Sequence, residues 1–432
     1  MLELLFSICI HFQEPSAQVH AFVGARILPV SGPPLENGVL VVRGARIAAI
    51  GSRDAVAVPA GALVHDATGK WLIPGLVDTH SHIGEASGAD SSAPIQPDAR
   101  ILDSFDVRAS SLQRAQAGGI TTANVMPGSG HLLGGQTLYF KLKDANSVDE
   151  LAIRWPDGAV AGGMKMANGT NPRGEPPFPG TRAKAAALVR EKFFAAREYE
   201  RKLAEAGDDA SKRPARDLGM EALLEVLQGK RVVHHHTHRH DDVLTVLRLQ
   251  QEFGFKVVLH HVTDAWKVAR EIAAAGAPCS LILVDAPGGK LEARDLNWSS
   301  PAAVVEAGGR VSIHTDDWIN DSRLFLRCAG MAVRGGLSRE KALEALTLEG
   351  ARQLELDARI GSLDAGKDAD FVLLDGDPLS VYTTVLETWV EGVKVFDRAD
   401  PRDRLWALGG YGAGNARVLH DCCGERVEEH GR

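Results

Sequence analysis

The chain reads as an α/β protein: a (β/α)8 TIM-like barrel with a small β-sandwich domain built from both chain ends. Three observations predict this. Several short apolar runs end in histidine or aspartate, helix-period patterns follow those runs, and strand patterns broken by Gly and Pro flank the whole. Strand followed by helix, repeated, is the signature of a parallel sheet. Chemistry-bearing residues at the carboxyl ends of several successive strands favour a barrel, whose active site lies on that rim. An open doubly wound sheet also binds at strand ends, but no Gly-x-Gly-x-x-Gly turn follows a first strand.

The elements follow in order. Residues 1–20 form a tail or a degenerate export signal: Leu2 to Ile10 has the length of a signal h-region, yet Glu3 interrupts it and no positive segment precedes it. Residues 21–73 carry strands over Phe22 to Val30 and Gly38 to Ile50. These pair with later strands at Phe371 to Leu374 and Trp389 to Phe396, because neither flank can bury a sheet alone. The barrel then spans 74–359, and 360–432 supplies the second part of the sandwich and a tail. Inside the barrel, strands are expected at Ile120 to Val125, Arg231 to His236 and Lys256 to His261, with helices over Asp241 to Phe253 and Asp264 to Ala275. Ala183 to Glu205 reads as a charged, Ala-rich helix facing solvent.

His80 and His82 close the run that starts at Trp71. Residues two apart in a strand point the same way, so two imidazoles share one face, the beginning of a divalent-metal site. Alone, such a pair is more often a structural accident. Further candidates do follow, at His234 to His240, at His260 and His261, and at His314 with Asp316 and Asp317. Alternation places His234, His236, His238 and His240 on one side if their strand continues, and sends His260 and His261 to opposite sides. Of that pair, His261 shares its side with Val257 and Leu259, and His260 is expected against the helices. Asp316 and Asp317 could equally be acids of a helix start.

Pro74 to His82 resembles the first-strand motif of the metal-dependent amidohydrolase superfamily, and Gly361 to Asp370 resembles its return into a small β domain. The resemblance spans nearly the whole chain, and His236 to Asp242, His261 and His314 to Asp317 are most similar to the imidazolonepropionase and prolidase-like branch. It implies that His80, His82, His236, His261 and Asp316 hold a divalent metal, zinc or a similar borderline ion. Asp316 is then the catalytic acid/base in hydrolysis of a C–N bond in a small amide or cyclic amide. A metal-dependent deaminase would use the same groups, and a metal-binding barrel without turnover is the alternative from another class. Two-metal relatives bridge their ions with a carboxylated lysine or a glutamate. Lys165 is the candidate here and Thr170 is a poor ligand, so one ion is favoured and two remain open. Lys165 and His238 are second-metal or substrate candidates; His131, in the glycine-rich segment Asn124 to Gln136, and Trp318 are pocket candidates.

Composition bounds the partners. The 432 residues carry a net charge of −8 and no basic stripe, so nucleic acid is not an expected partner. No apolar run approaches the ~20 residues that span a bilayer. Five cysteines, an odd set without a Cys-x-x-Cys pair, suggest neither a disulfide framework nor a structural zinc site. Cytoplasmic and exported locations both stay open, as does a homo-oligomer.

Overall fold

The computed structural model describes residues 18–84, 86, 90–285, 289–317, 319–410 and 413. The apolar segment Leu2 to Ile10 and Trp318 therefore lie outside the described residues.

Five strands precede the first histidine pair: β1 (Val19–Ile27), β2 (Leu35–Arg43), β3 (Arg46–Ser52), β4 (Leu63–Asp66) and β5 (Trp71–Pro74). Nine follow in the middle of the chain: β6 (Leu76–Ser81), β7 (Ile120–Val125), β8 (Leu133–Gln136), β9 (Leu138–Lys141), β10 (Met164–Ala167), β11 (Val233–Thr237), β12 (Val257–His261), β13 (Cys279–Leu281) and β14 (Val311–Ile313). Three close the fold: β15 (Phe371–Leu374), β16 (Val385–Val390) and β17 (Val393–Asp397). Trp389 to Phe396, expected as one strand, is a hairpin, because Glu391 and Gly392 both take positive φ and turn the chain.

The outer strands from both chain ends form one eight-stranded sheet in the order β17-β16-β15-β5-β1-β2-β3, with β4 paired to β1. Its core mixes both ends, packing Phe22, Leu40 and Leu72 with Phe371, Leu373 and Trp389. Between these ends, β6 runs parallel to β7, and β10 to β14 form a parallel series. β8 and β9 break that regularity, for each runs antiparallel to its neighbour, β10 and β7 respectively. The glycine-rich segment thus contributes a buried strand rather than only a pocket loop. Gly135 permits this, since its φ is +121° and a side chain there would lie 2.6 Å from the Ala99 carbonyl oxygen.

Hydrogen bonds cross both seams between these inner sheets. Thr137 N and Tyr139 N donate to the Gly163 and Ala161 carbonyls at 2.9 and 3.0 Å, and Asp316 N donates to His80 O at 2.9 Å. Helices follow the strands. His240–Phe253 buries Val243, Val246, Leu249 and Phe253 as one stripe, carries Asp241 and Asp242 in its first turn, and ends at Gly254 in the left-handed conformation. The charged helix, Arg182–Ala206, is not wholly solvent-facing. It buries Ala185, Val189, Phe193, Ala196 and Tyr199, because alanines between its charges leave an unbroken apolar stripe. Among the described residues, no helix is long and apolar enough to cross a membrane.

Candidate metal centre

β6 ends in Asp78, Thr79, His80 and Ser81, all buried. Asp78 accepts from Thr315 N at 3.1 Å and from His80 N at 3.3 Å, tying the strand end to the residues after β14. Burial pushes its carboxyl up to about 7. Below, Thr79 Oγ1 lies 2.6 Å from Ser280 Oγ, and Ser312 Oγ donates to Gln353 Oε1 at 2.7 Å. This floor of short hydroxyls is polar but paired, which holds the strand ends above it in place.

Above the floor, His80 Nε2 and His82 Nε2 lie 3.4 and 3.1 Å from Asp316 Oδ1. His82 Nδ1 donates to the Met126 carbonyl at 2.9 Å. That bond leaves His82 Nε2 facing a carboxylate oxygen, a contact that a proton or a cation between them bridges. Burial alone would raise the Asp316 carboxyl. The hydrogen bond and charge of His82, with His314 and Lys165, outweigh it and hold the group at about 2. His261 Nδ1 is 3.7 Å from Asp316 Oδ2. The His236 ring is 4.5 Å from that of His261, and neither of its nitrogens has a hydrogen-bond partner among the described residues although it is buried. His80, His82 and Asp316 thus share one cluster of ligand atoms, His261 reaches Asp316 from beside it, and His236 lies against His261 outside that cluster; imidazoles with a carboxylate suit a borderline divalent ion.

Lys165, on β10, is fully buried with Nζ 3.3 Å from His80 Nε2 and 3.2 Å from Met126 Sδ. Burial pushes its ammonium down to about 7 against the pull of Asp316. His238 is buried beside His236, with Nε2 unpartnered and Nδ1 3.4 Å from Thr263 Oγ1. Burial, with Lys290 next, lowers it to about 3. His131 is buried and packs edge-on against Phe178 at 5.3 Å. Asp317 turns away to Ser322, and Asp321 caps the short turn at Ser322–Leu324.

His260 departs from the expected alternation. It is fully buried, with Nδ1 3.2 Å from His80 Nδ1 and Nε2 2.9 Å from His234 Nδ1, so it faces the site rather than the helices. His261 also reaches the site because its φ is +70°, and a left-handed residue ends the strict alternation of the strand. His234 continues the inner network to Tyr139, whose hydroxyl lies 2.7 Å from His234 Nε2, while His240 is the first residue of the helix His240–Phe253. Glu292, whose ligand atom lies within 4.8 Å of those of His236 and His238, is not marked in the sequence. It follows a strand of three residues in an irregular stretch without a ligand-type spacing.

Comparison with known proteins identifies the family. The amidohydrolase family model matches residues 71–396. The chain is 28% identical over 400 residues to the amidohydrolase tasK of Hapsidospora irregularis, covering 83% of this chain and 40% of that protein. It is 38% identical over 108 residues to an imidazolonepropionase of Syntrophobacter fumaroxidans, covering 24% of each. The chain therefore spans well under two thirds of these curated relatives. An amidohydrolase from Thermotoga maritima MSB8, 32% identical, superposes with a TM-score of 0.82 over 88% of this chain and 100% of that one. The chain belongs to the amidohydrolase family.

Proposed function

We propose that this chain is a metal-dependent hydrolase of a C–N bond in a small amide or cyclic amide. The observation that carries the reading is the convergence of His80 Nε2 and His82 Nε2 on Asp316 Oδ1, at 3.4 and 3.1 Å. The scaffold is a closed (β/α)8 barrel over residues 74–359, supported by the hydrogen bonds across both seams, with 21–73 and 360–432 making the small β domain and a tail.

His80, His82, His236, His261 and Asp316 would hold the ion, zinc or a similar metal, with one ion as the working stoichiometry. Bound there, the metal supplies Lewis acidity and a water of lowered pKa. Asp316, ionised at neutral pH, accepts the proton of the attacking water and returns it to the leaving nitrogen. Its φ of +50° directs it back toward β6, and its backbone N–H to His80 fixes that direction. His80 and His260 support one another inside the network, and Lys165 and His238 stand as second-metal or substrate residues. His131 is a pocket residue. The partner is a small molecule rather than nucleic acid.

The test is metal content and turnover of an amide panel by wild-type and Asp316→Asn protein. Loss of turnover with retained metal supports the acid/base role. Ammonia released from an imine or amidine substrate would make it a deaminase, and metal-replete protein without turnover on any substrate would make it a binding barrel.

A further inference from the structure

A cavity of about 420 Å3 lies behind β10 and β11, between the helices Arg182–Ala206 and His240–Phe253. Its volume is in the range of small-molecule sites. Alternation along β11 sets it apart from the metal centre. His234 and His236 face the inner histidines, so His235 between them faces the opposite way and lines the cavity. Arg182, Ala186 and Val189 on one helix, and Asp241, Thr245 and Arg248 on the other, recur at helical spacing, so each set shares one face.

The charges around it do not cancel locally. At the inner end Arg182 is shared, with Nε 2.8 Å from Asp242 and Nη2 3.2 Å from Glu292. Two buried carboxylates thus have one guanidinium between them, and one negative charge stays in excess. Asp241 is matched by Arg239 and Arg190 by Glu252, both at 2.6 Å. Arg248 is exposed, donates Nη2 to Thr245 Oγ1 at 2.7 Å and has no carboxylate partner among the described residues, which leaves one positive charge in excess at the outer end. The inner wall also offers acceptors. Asn168 donates Nδ2 to the Asp242 carbonyl at 3.0 Å, and its Oδ1 is buried with no hydrogen-bond partner among the described residues. His235, 2% exposed, donates Nδ1 to the His236 carbonyl at 2.9 Å, which leaves Nε2 as its acceptor.

We propose that this cavity binds a small zwitterionic amino acid, with its ammonium at the inner end toward Asn168, His235 and Asp242 and its carboxylate on Arg248. A simple anion would answer Arg248 and leave the inner acceptors and the excess carboxylate charge unmatched. A simple amine would do the reverse. Charges of both signs, drawn out of water at opposite ends of one cavity, are matched by a ligand that carries both. Leu132, Val189 and Leu249 supply apolar wall for its carbon skeleton. Binding there requires neither metal nor turnover, so the inference stands apart from the hydrolase reading.

The experiment titrates L-leucine and 4-aminobutanoate into wild-type, Arg248→Gln and Ala186→Phe protein by calorimetry, before and after chelator, with butanoate and butylamine as controls that carry one charge each. Saturable binding of at least one amino acid is expected, unchanged by chelator and tighter than either control. It should weaken about 10- to 100-fold in Arg248→Gln, the range of a lost charge-assisted hydrogen bond, and vanish in Ala186→Phe, whose ring fills the cavity. Binding that is equal in Arg248→Gln, or that disappears with chelator, assigns the amino acid to another site and overturns the inference. Butanoate binding as tightly as the amino acids reduces the cavity to an anion site and overturns it too, as does a wild type that binds neither amino acid. Arg248 is exposed, so its variant decides alone should Ala186→Phe fail to fold. None of these outcomes bears on the hydrolase reading.

Discussion

His80 Nδ1 lies 3.2 Å from Nδ1 of His260, and His80 Nε2 lies 3.4 Å from Asp316 Oδ1 on the other edge of the ring. One imidazole therefore joins the candidate ligands to a buried histidine layer running through His260 and His234 to Tyr139. Groups behind a ligand that fix its orientation alter metal affinity as strongly as many ligands do. His260→Phe should weaken metal binding 10- to 100-fold and cost roughly 1–3 kcal/mol by leaving His80 and His234 short of partners. Competition with a chromophoric chelator and urea unfolding measure the two; unchanged affinity would remove His260 from the site.

Asp316→Asn should lower kcat by about 10²- to 10⁴-fold, the range of a lost acid/base. The side chain keeps its size, so bound metal should stay near wild-type content. A variant that lost metal in proportion to rate would make Asp316 a ligand alone.

Lys165 dictates how stability responds to pH in metal-free protein. Its folded value of about 7 lies below that of an exposed lysine, so the unfolded chain binds the extra proton between pH 7 and 10 and stability rises with pH across that window. Below pH 7 the cost of the buried ammonium is complete. Lys165→Met should therefore stabilise the chelated protein at pH 6, by roughly 1.4 kcal/mol for each unit of the depression, and the gain should shrink to nothing by about pH 10. Denaturation in chelator across pH 6 to 10 tests this; a gain that did not change with pH would assign it to packing.

Lys141 sits buried between Asp368, 2.9 Å away, and Asp370, binding the end of β9 to the residues before β15. Removing one partner from a buried ionic cluster strands the rest. Lys141→Met should cost about 3–5 kcal/mol, read from urea midpoints. The loss should be larger at pH 7 than at pH 4, where the stranded acids can take up protons.

The metal-type residues were legible because period-2 alternation and short β-branched runs survive in the sequence: Ile120–Val125 and Phe371–Leu374 are strands as expected. His260 was misread because alternation assumes regular backbone up to the last residue, and His261 leaves it at φ +70°. β8 was hidden by its own composition. Leu133-Gly-Gly-Gln136 lacks the side chains that mark a strand, and it pairs because Gly135 can approach Ala99. Glu292 had no local signal at all, since its importance arises from Arg182 and Gly169, more than 100 residues earlier.

The sheet drawn from both chain flanks has a kinetic consequence. Trp71 pairs with Leu374 and Pro74 with Phe371, roughly 300 residues apart. On a ribosome, β1 to β5 must wait with open edges while the whole inner fold is synthesised, and the sheet can join only after β15 leaves the exit tunnel. Such long-range pairing is slow to form, and unpaired edges are prone to aggregation in the interval. The assembly of this molecule is therefore completed late, at the seam where β5 meets β15.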